Sequence, residues 1–573
     1  MGIRDTYLRF LSDDVERNLE RFDEETGRFL TGDGWAVTKQ DIVYPLALLY
    51  TTAGTPYYGD DRILHCALRG ADAWRDFQYP DGRVEFVKVD GSRWGPTYMP
   101  WSMYHWLETY ALLRDRLDPA RRARWEEGLT LAYDGIANEL AEGHVHNIPT
   151  WKGMAAYRAG ALFDRPDWQD AGAHMIALAV DAQTPHGYWI EHHGPTTLYN
   201  LVYTHAIGLY HVFSGDDSVL PCLERATDFH IRYTYPDGRI VETIDGRVKY
   251  HDRVSDFAHT TFSLFPQGRR YVRMLVEQME ADRQADVEPR VSYVMTSGSL
   301  RIASAEYGLS PRLASACVHL RSGPEGPIPQ DQPAYQIHDP GHSLIRRGQG
   351  WFYCLSGITT PPVESRWGQD RGNYVSIWNE ETGLIVGGGN SKDQPEWSTF
   401  AIGSGTNASH LPVAAALRPG DREDAVALTY DVPARDEASN ASATCVMGLR
   451  IVNPESLEIH LTGPVEAQAE AHLTLKLNSE HPLHTGAGAT LAPDGPPIDI
   501  ASDESGGWIG WGKWCLTVPA GSRFQWPVLP FNPYAADGAA PLDEAAGVLT
   551  VPLNAAETRV LYLSVKEETS TCL

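Results

Sequence analysis

The chain of 573 residues lacks the apolar run of about 18 residues or more that a membrane-spanning helix requires. Its first segment, MGIRDTYLRFLSDDVERNLERF, carries charge throughout and has no apolar stretch typical of a secretory leader. Its seven cysteines include no CxxC pair and no Cys/His metal spacing, so neither a disulfide framework nor a zinc site is predicted. We therefore expect a cytoplasmic protein with reduced thiols and no membrane partner.

Positive charge is also scarce. The chain has 48 Lys and Arg against 75 Asp and Glu, a formal net charge of −27. Such a field repels polyphosphate, so nucleic acid is excluded as a partner. Charges are screened over about 8 Å at physiological salt, and a locally basic cleft in this acidic protein can therefore still bind a carboxylate.

Aromatic residues, in contrast, are abundant, with 17 Trp and 27 Tyr. Such side chains fill cores in most proteins, and they also line the clefts that hold carbohydrate. The chain is much longer than a single domain of about 100 to 200 residues, so at least two packed cores are expected.

Residues 1–283 are predicted to be helical, because apolar residues recur at three- and four-residue steps between short Gly, Pro or Asp breaks. The segment YPDGRVEFVKVDGSRW at 79–94 recurs as YPDGRIVETIDGRVKY at 235–250, with a degenerate copy, TPHGYWIEHHGPTTLY, at 184–199. Repeated loops between helix pairs are typical of stacked units that share a core. We expect these loops to project from one end of a ring of helices.

After about residue 285 the pattern changes to short β-type runs separated by Gly, Pro and Asx turns, which is typical of an antiparallel sandwich. The polar segment 281–290 is the predicted linker. We assign a large β-sandwich to 291–485 and a smaller C-terminal β region to 486–573, because residues 479–507 are rich in Gly, Pro and acid.

An amide, two imidazoles and two phenols stand out in the helical part. Asn147 lies in a polar turn before a predicted helix, where backbone N–H groups and the helix dipole favour an anion. The competing interpretation is that Asn147 only caps that helix. His192 and His193 lie in a loop, and Tyr199 and Tyr203 share one face of the helix that follows.

These group types match the needs of β-elimination from a 4-linked uronic acid. An amide can neutralise the sugar carboxylate and so spread the charge of the developing enolate. His and Tyr can then remove the C5 proton and protonate the bridging oxygen. The cluster therefore predicts a lyase that acts on an anionic sugar and needs neither a cofactor nor a metal.

The order of these residues resembles that of the hyaluronate and chondroitin AC type of polysaccharide lyase, and more loosely the heparinase II/III and alginate lyase group. It consists of Asn in a turn before a Trp-containing helix, then the motif Trp-Ile-Glu-His at 189–192, then Tyr on the next helix. The segment 342–389, which begins HSLIRRGQGWFYCLSG, is also similar to the β part of those enzymes. The resemblance implies an N-terminal incomplete (α/α) toroid followed by an antiparallel β-sandwich.

The resemblance also implies roles for individual residues. Asn147 would neutralise the carboxylate, and His192 or His193 would be the base or its helper. Tyr199 or Tyr203 would be base or acid. The spacing in those lyases leads to Leu201, so both tyrosines stay open, with Tyr203 preferred.

Further residues are predicted to bind the substrate. The loop ESRWGQDRGNY at 364–374 is dense in hydrogen-bond donors, and its arginines can pair with a carboxylate in bidentate fashion. The competing interpretation is an ion-pair network with Glu364 and Asp370. The predicted binding set comprises His146, Trp151, Glu191, Arg366, Trp367, Arg371, Asn373 and His342. His338 and His342 lie four apart around a Gly-Pro turn, which is too weak a pattern to assign a metal.

Two other functions compete with the lyase. An inverting glycoside hydrolase on an (α/α) ring needs two carboxylates, and the repeated loops offer acids, among them Asp81, Asp237, Glu242 and, as the first to test, Glu191. A non-catalytic glycan-binding protein would explain the aromatic content but leaves the His and Tyr cluster without a role.

Overall fold

The computed structural model describes residues 2–30, 34–88, 91–247, 253–285, 309–403, 409–432, 441–465, 467–477, 481–533, 535–554 and 557–566. These residues form two compact units. Unit 1 comprises Met1–Trp189, Leu198–Arg232 and Asp252–Ile328, and unit 2 comprises Ile190–Thr197, Tyr233–His251 and Pro329–Leu573. Over the described ranges, no helix is both long and apolar enough to cross a membrane.

Unit 1 is built mainly from helices that follow one another in short succession. They are α1 (Ile3–Asp13), α2 (Val15–Leu19), α3 (Val43–Thr51), α4 (Asp61–Phe77), α5 (Pro100–Leu113), α6 (Pro119–Leu140), α7 (Asn147–Phe163), α8 (Pro166–Asp181), α9 (Thr197–Ser214), α10 (Leu220–Arg232), α11 (His259–Phe262), α12 (Pro266–Gln284) and α13 (Pro311–His319). Two small hairpins join them, formed by β1 (Phe22–Asp23), β2 (Arg28–Phe29), β3 (Val84–Val87) and β4 (Arg93–Thr97).

Local sequence explains where these helices begin and how closely they pack. The side chain of Asp118 accepts hydrogen bonds from the backbone of Ala120 and Arg121 at the start of α6, an N-cap that satisfies otherwise unpaired amides. Helices α7 and α8 approach closely where Gly172 faces the backbone of Tyr157, because a Cβ at Gly172 would lie 2.7 Å from that nitrogen. Only glycine permits this approach.

The core of unit 1 is rich in aromatic side chains. Its largest fully buried members include Trp74, Trp106, Trp125, Trp151, Trp168 and Trp189. Most of the tryptophans in this half of the chain therefore stabilise the helical core by burial, at roughly 25 cal/mol for each Å² of apolar surface.

Unit 2 contains a helical turn and antiparallel strands. The strands are β5 (Tyr335–Asp339), β6 (Ser343–Gly348), β7 (Trp351–Ser356), β8 (Val375–Asn379), β9 (Gly383–Val386), β10 (Phe400–Ile402), β11 (Ala414–Arg418), β12 (Asp424–Val432), β13 (Ala441–Asn453), β14 (Ser456–Thr462), β15 (Ala469–Leu475), β16 (Leu483–Thr485), β17 (Thr490–Leu491), β18 (Ile498–Ala501), β19 (Trp508–Trp511), β20 (Trp514–Thr517), β21 (Arg523–Val528), β22 (Ala546–Leu553) and β23 (Thr558–Val565), with α14 (Ser502–Ser505) after β18.

These strands form two sheets. One has the order β18-β21-β22-β15-β9-β8-β7-β6-β5, with β10 also paired to β15, and the other has the order β11-β12-β13-β14-β23-β20-β19-β16-β17. Strands on both sides of residue 486 thus lie in each sheet. In β23 the side chains of Leu561, Leu563 and Val565 are buried while Val560 and Tyr562 are exposed, the alternation expected of a strand with one face on a core.

The predicted order of a helical N-terminal part and an antiparallel β part is confirmed. One boundary differs in detail from the sequence prediction. Helix α13 belongs to unit 1, although it lies beyond residue 283, and it begins where the Ser310 side chain caps the backbone of Leu313. Residues 286–308, which include half of the predicted linker and the first predicted β run, lie outside the described residues.

One prediction about cysteine is wrong. Cys515 is disulfide-bonded, whereas the sequence led us to expect reduced thiols. Five other cysteines are free and buried, namely Cys66, Cys222, Cys317, Cys354 and Cys445. Sequence spacing did not indicate the disulfide, because its formation depends on distances that folding creates between cysteines that are remote along the chain.

The repeated loops at 190–197 and 233–247 belong to unit 2, although helices flank them in sequence. Contacts with the β-sheet explain this. The ring of Tyr235 packs edge-on against Phe352, with centroids 5.0 Å apart, and the indole of Trp378 donates to Asp237 at 2.9 Å. The Tyr233 hydroxyl lies 2.8 Å from that of Ser343.

Candidate active site

His192 and His193 occupy the two central positions of a tight hairpin turn in unit 2. The backbone N–H of Glu191 donates to the carbonyl of Gly194 at 2.8 Å, and that of Gly194 donates back at 3.2 Å. Both histidines have positive φ, 51° and 67°, which is the signature of a type I′ turn. Asn-Gly is the usual sequence there, since a left-handed conformation costs a non-glycine residue about 1–3 kcal/mol.

Such strain is often found at functional sites, and the two strained residues here both carry an imidazole. His192 is half-buried and His193 is exposed. The close approach of Gly368 fixes the side chain of His192, because a Cβ on that glycine would lie 3.0 Å from Cγ of the imidazole.

A guanidinium and an indole adjoin this turn. Nη1 of Arg247 lies 3.4 Å from Nε2 of His192, and the Arg247 guanidinium is 5.6 Å from the centre of the Trp367 ring. Since a guanidinium can only donate, Nε2 acts as the acceptor in this contact. Arg366 also lies over Trp367, at 5.5 Å, and donates to the carbonyl of Ala535 at 2.5 Å.

Arg247 is a residue that the sequence analysis missed. The signal was present, because Arg247 follows the Asp-Gly pair of the repeated loop at 235–250. That pair forms a turn in which the Asp245 side chain accepts from the Arg247 backbone at 2.7 Å. This turn directs the chain so that Arg247 adjoins His192.

Other residues of the predicted binding set lie deeper in unit 2. Arg371 is 4% exposed and donates to backbone carbonyls. Asn373 is also buried, and its side chain accepts from the backbone of Val375 at 3.3 Å. His342 is half-buried, and its carbonyl accepts from Gly357 at 2.8 Å.

Asp370, one of the two acids in the competing ion-pair interpretation, accepts hydrogen bonds from the backbone. The carboxylate of Asp370 accepts from the backbone of Val363 at 3.2 Å and from that of Asp393 at 2.9 Å. Glu364 is exposed. Asp370 thus serves to order the 363–370 loop that carries Trp367.

Two buried glutamates, Glu191 and Glu242, occupy equivalent positions in two copies of the repeated loop, 51 residues apart. Glu191 is 4% exposed and Glu242 is 2% exposed. Glu242 accepts from the backbone of Gly388 at 2.9 Å and from the Tyr235 hydroxyl at 3.0 Å. Burial raises the pKa of Glu242 to about 7, because a low-dielectric surrounding disfavours the charged carboxylate.

In unit 1, Asn147 is the first residue of α7 and is 1% exposed. The N-cap position belongs to His146, whose side chain makes no capping hydrogen bond. The carbonyl of His146 accepts from both the backbone and the hydroxyl of Thr150, at 3.0 and 2.8 Å. Asn147 therefore stands within the first helical turn and not at the cap.

Trp151, predicted to bind substrate, is a core residue of α7. It is 2% exposed, and its indole donates to the carbonyl of Pro100 at 3.1 Å. Its ring stacks on that of His205, with centroids 5.3 Å apart. His205 accepts from the backbone of Ala258 at 3.0 Å, and burial lowers its pKa to about 3.

The two candidate tyrosines of α9 differ in environment. Tyr203 is 2% exposed and stacks on Trp189 at 4.7 Å, with the rings nearly parallel. Tyr199 lies in the first turn of α9 and is half-buried. Asn200 lies between them in sequence, and its side chain accepts from the backbone of Trp189 at 2.6 Å.

The predicted residues are thus divided between the units. The structure brings His192 together with Trp367 through Arg247 in unit 2, and it brings Trp151 and Tyr203 into one core in unit 1. The catalytic and binding roles of the whole set stay predictions.

Comparison with known proteins bears on the fold. No protein-family model matches the chain, and no curated protein matches its sequence. A crystal structure of heparinase III is similar over 100% of this chain and 86% of its own, with 11% identity and a TM-score of 0.52. A chondroitinase AC lyase shows 10% identity over 99% and 84% of the two chains, with a TM-score of 0.47. The likeness to heparinase III confirms the predicted fold of a helical toroid followed by β-sheets.

Proposed function

We propose that the protein is a polysaccharide or oligosaccharide lyase, which cleaves a 4-linked uronic acid bond by β-elimination and leaves a 4,5-unsaturated uronic acid end. The observation that carries this proposal is the His192-His193 turn. Two imidazoles take the positions at which a type I′ turn favours Asn-Gly. Imidazoles can transfer protons, and this pair is partly exposed. Backbone strain at such a pair supports a functional role for the two histidines.

The groups around the turn favour an anionic substrate. Arg247 adjoins His192, and the guanidinium groups of Arg247 and Arg366 both lie near the ring of Trp367, within a chain whose net charge is −27. A guanidinium pairs with a carboxylate through two parallel hydrogen bonds, and an indole packs against the apolar face of a sugar ring. A uronic acid unit offers both partners.

The remaining roles follow from the chemistry of the elimination. Asn147, at the positive end of the α7 dipole, neutralises the carboxylate and stabilises the enolate. One of His192 and His193 acts as the base or its helper. Tyr199 completes the proton transfer, because this residue is less buried than Tyr203, whose ring stacks on Trp189.

Incubation with uronic acid polysaccharides and oligosaccharides of different linkage tests this proposal. The elimination product is conjugated, so its ultraviolet absorbance rises in step with new reducing ends. Reducing ends that appear without this absorbance would contradict the lyase. Boiled protein and the His192→Ala variant serve as controls.

A second function, an inverting glycoside hydrolase, is favoured by one observation. Glu242 has a pKa raised to about 7, the condition that a carboxylic acid needs in order to donate a proton at neutral pH. Glu191 is the equivalent buried acid of the other loop. Release of saturated sugars by the wild type, together with its loss in Glu242→Gln, would support this function.

A further inference from the structure

We propose that Arg371 is a positioning residue, which holds the His192-His193 turn in place for catalysis without touching the substrate. The inference rests on the proposed function, since it assigns the turn a catalytic task. It differs from the sequence prediction, in which Arg371 binds a sugar carboxylate.

The contacts of Arg371 join two loops that are remote in sequence. Nη2 donates to the carbonyl of Pro195 at 2.8 Å, and Nη1 donates to the carbonyl of Ile244. The backbone of Gly246 also donates to Pro195, at 3.1 Å. One planar guanidinium thus spans the segment just after the histidine turn and the segment just before Arg247.

Two glycines make room for this guanidinium. A Cβ at Gly194 would lie 2.5 Å from Nη2 of Arg371, and a Cβ at Gly246 would also overlap it. Gly194 is the residue that closes the turn, because its backbone exchanges hydrogen bonds with Glu191. The guanidinium therefore packs directly beneath the end of the turn.

Neighbouring hydrogen bonds make the arrangement rigid. The backbone of Gln369 donates to the carbonyl of Gly246 at 2.7 Å, and the backbone of Thr197 donates to the Asp245 carboxylate at 2.5 Å. Buried guanidinium groups that bind carbonyls in a fixed fork lose little entropy for each bond. Such support keeps a strained turn in one conformation, as a precise site requires.

Hydrogen exchange tests the inference without any substrate. In Arg371→Lys, whose ammonium cannot reproduce the planar fork, the amides of 190–197 and 244–247 should exchange about tenfold faster or more, the effect of losing one or two hydrogen bonds. Gly194→Ala should do the same by displacing the guanidinium. The matched controls are Arg346→Lys, whose arginine binds Asp424 in the same unit, and Gly348→Ala, where a Cβ meets only Ile451 at 3.7 Å.

Kinetics and NMR spectroscopy distinguish three roles for Arg371: positioning the turn, stabilising the fold and binding the substrate. Arg371→Lys should lower kcat about a hundredfold, the scale of a small misplacement, with little change in KM. The imidazole ¹⁵N signals of His192 should shift, while those of His472, which binds the carbonyl of Ser398 in the same unit, should not. A change mainly in KM would instead indicate that Arg371 binds the substrate.

Unchanged exchange at 190–197, or unchanged His192 signals, in both Arg371→Lys and Gly194→Ala would overturn the inference. These two measurements use no sugar. They therefore decide whether Arg371 holds the turn even if the wild type releases no unsaturated product, a result that would reject the proposed lyase and with it the catalytic task of the turn.

Discussion

Nη1 of Arg247 lies 3.4 Å from Nε2 of His192, so a guanidinium of the repeated loop adjoins the strained turn. A substrate carboxylate placed there would meet a guanidinium that also faces Trp367. This relationship makes Arg247 the first residue to vary.

Arg247→Ala should raise KM for a uronic acid substrate about tenfold to a hundredfold, because a charge-assisted hydrogen bond contributes about 1.5–3 kcal/mol. Arg247→Lys should recover part of the loss, since the charge stays but the bidentate geometry does not. Initial rates at several substrate concentrations measure both effects. Arg523→Ala, which removes an exposed pair with Asp499, should leave KM unchanged, and an equal rise there would contradict a specific site.

The two tyrosines of α9 give a matched pair of variants. Tyr199→Phe should lower kcat by about 10²–10⁴, the usual contribution of a positioned proton-transfer group. Tyr203→Phe keeps the ring that stacks on Trp189, so we expect it to retain most turnover. Circular dichroism of both variants controls for folding, and the reverse order of activities would transfer the role to Tyr203.

Asn147→Asp replaces the amide by a carboxylate of the same shape. A negative charge opposite the substrate carboxylate would remove the stabilisation of the enolate, so kcat should fall about 10²–10³, as for the loss of one donor to a developing oxyanion. Ile148→Ala changes the next residue in the same helical turn, which is 39% exposed, and should keep activity. If Asn147→Asp is fully active, the amide has no part in the reaction.

Glu242 should make stability depend on pH. Its pKa rises from 4.5 to about 7 on folding, so the fold favours the protonated form. This contribution is complete below pH 4.5 and is lost as pH rises through about 7. In Glu242→Gln, an isostere of the neutral acid, the midpoint of urea unfolding should fall less between pH 5 and pH 8 than in the wild type. Glu381→Gln, at an exposed ion pair with Lys513, should leave the wild-type slope in place.

Hydrophobic periodicity was sufficient to predict the helical part, the antiparallel part and their order, because a period near 3.6 or 2 reflects which face of an element is buried. It could not predict that the loops at 190–197 and 233–247 belong to the β unit. Their contacts with the β part include hydrogen bonds from Arg371, which is 176 residues from Pro195 and 127 from Ile244 in sequence. No local pattern encodes such contacts.

Sequence alone could predict only those members of the candidate site that lie close together along the chain. The His192-His193 pair was evident, since two imidazoles beside Gly-Pro are unusual in a turn. Trp151 and Tyr203 were predicted to bind substrate or to be catalytic. The positions of aromatic residues along a helix do not show whether their side chains face a cleft or a core. Their stacking on His205 and Trp189 depends on tertiary packing.

The sharing of strands across residue 486 has a consequence for fragments of this protein. A chain that stopped at residue 485 would lose β22, the partner of β15, and β23, the partner of β14. Strands β14 and β15 would then each lose the neighbouring strand on one side, and the open edges left there can recruit other chains. Truncation at this position should therefore yield aggregates, and unit 2 is best expressed with its C-terminal strands.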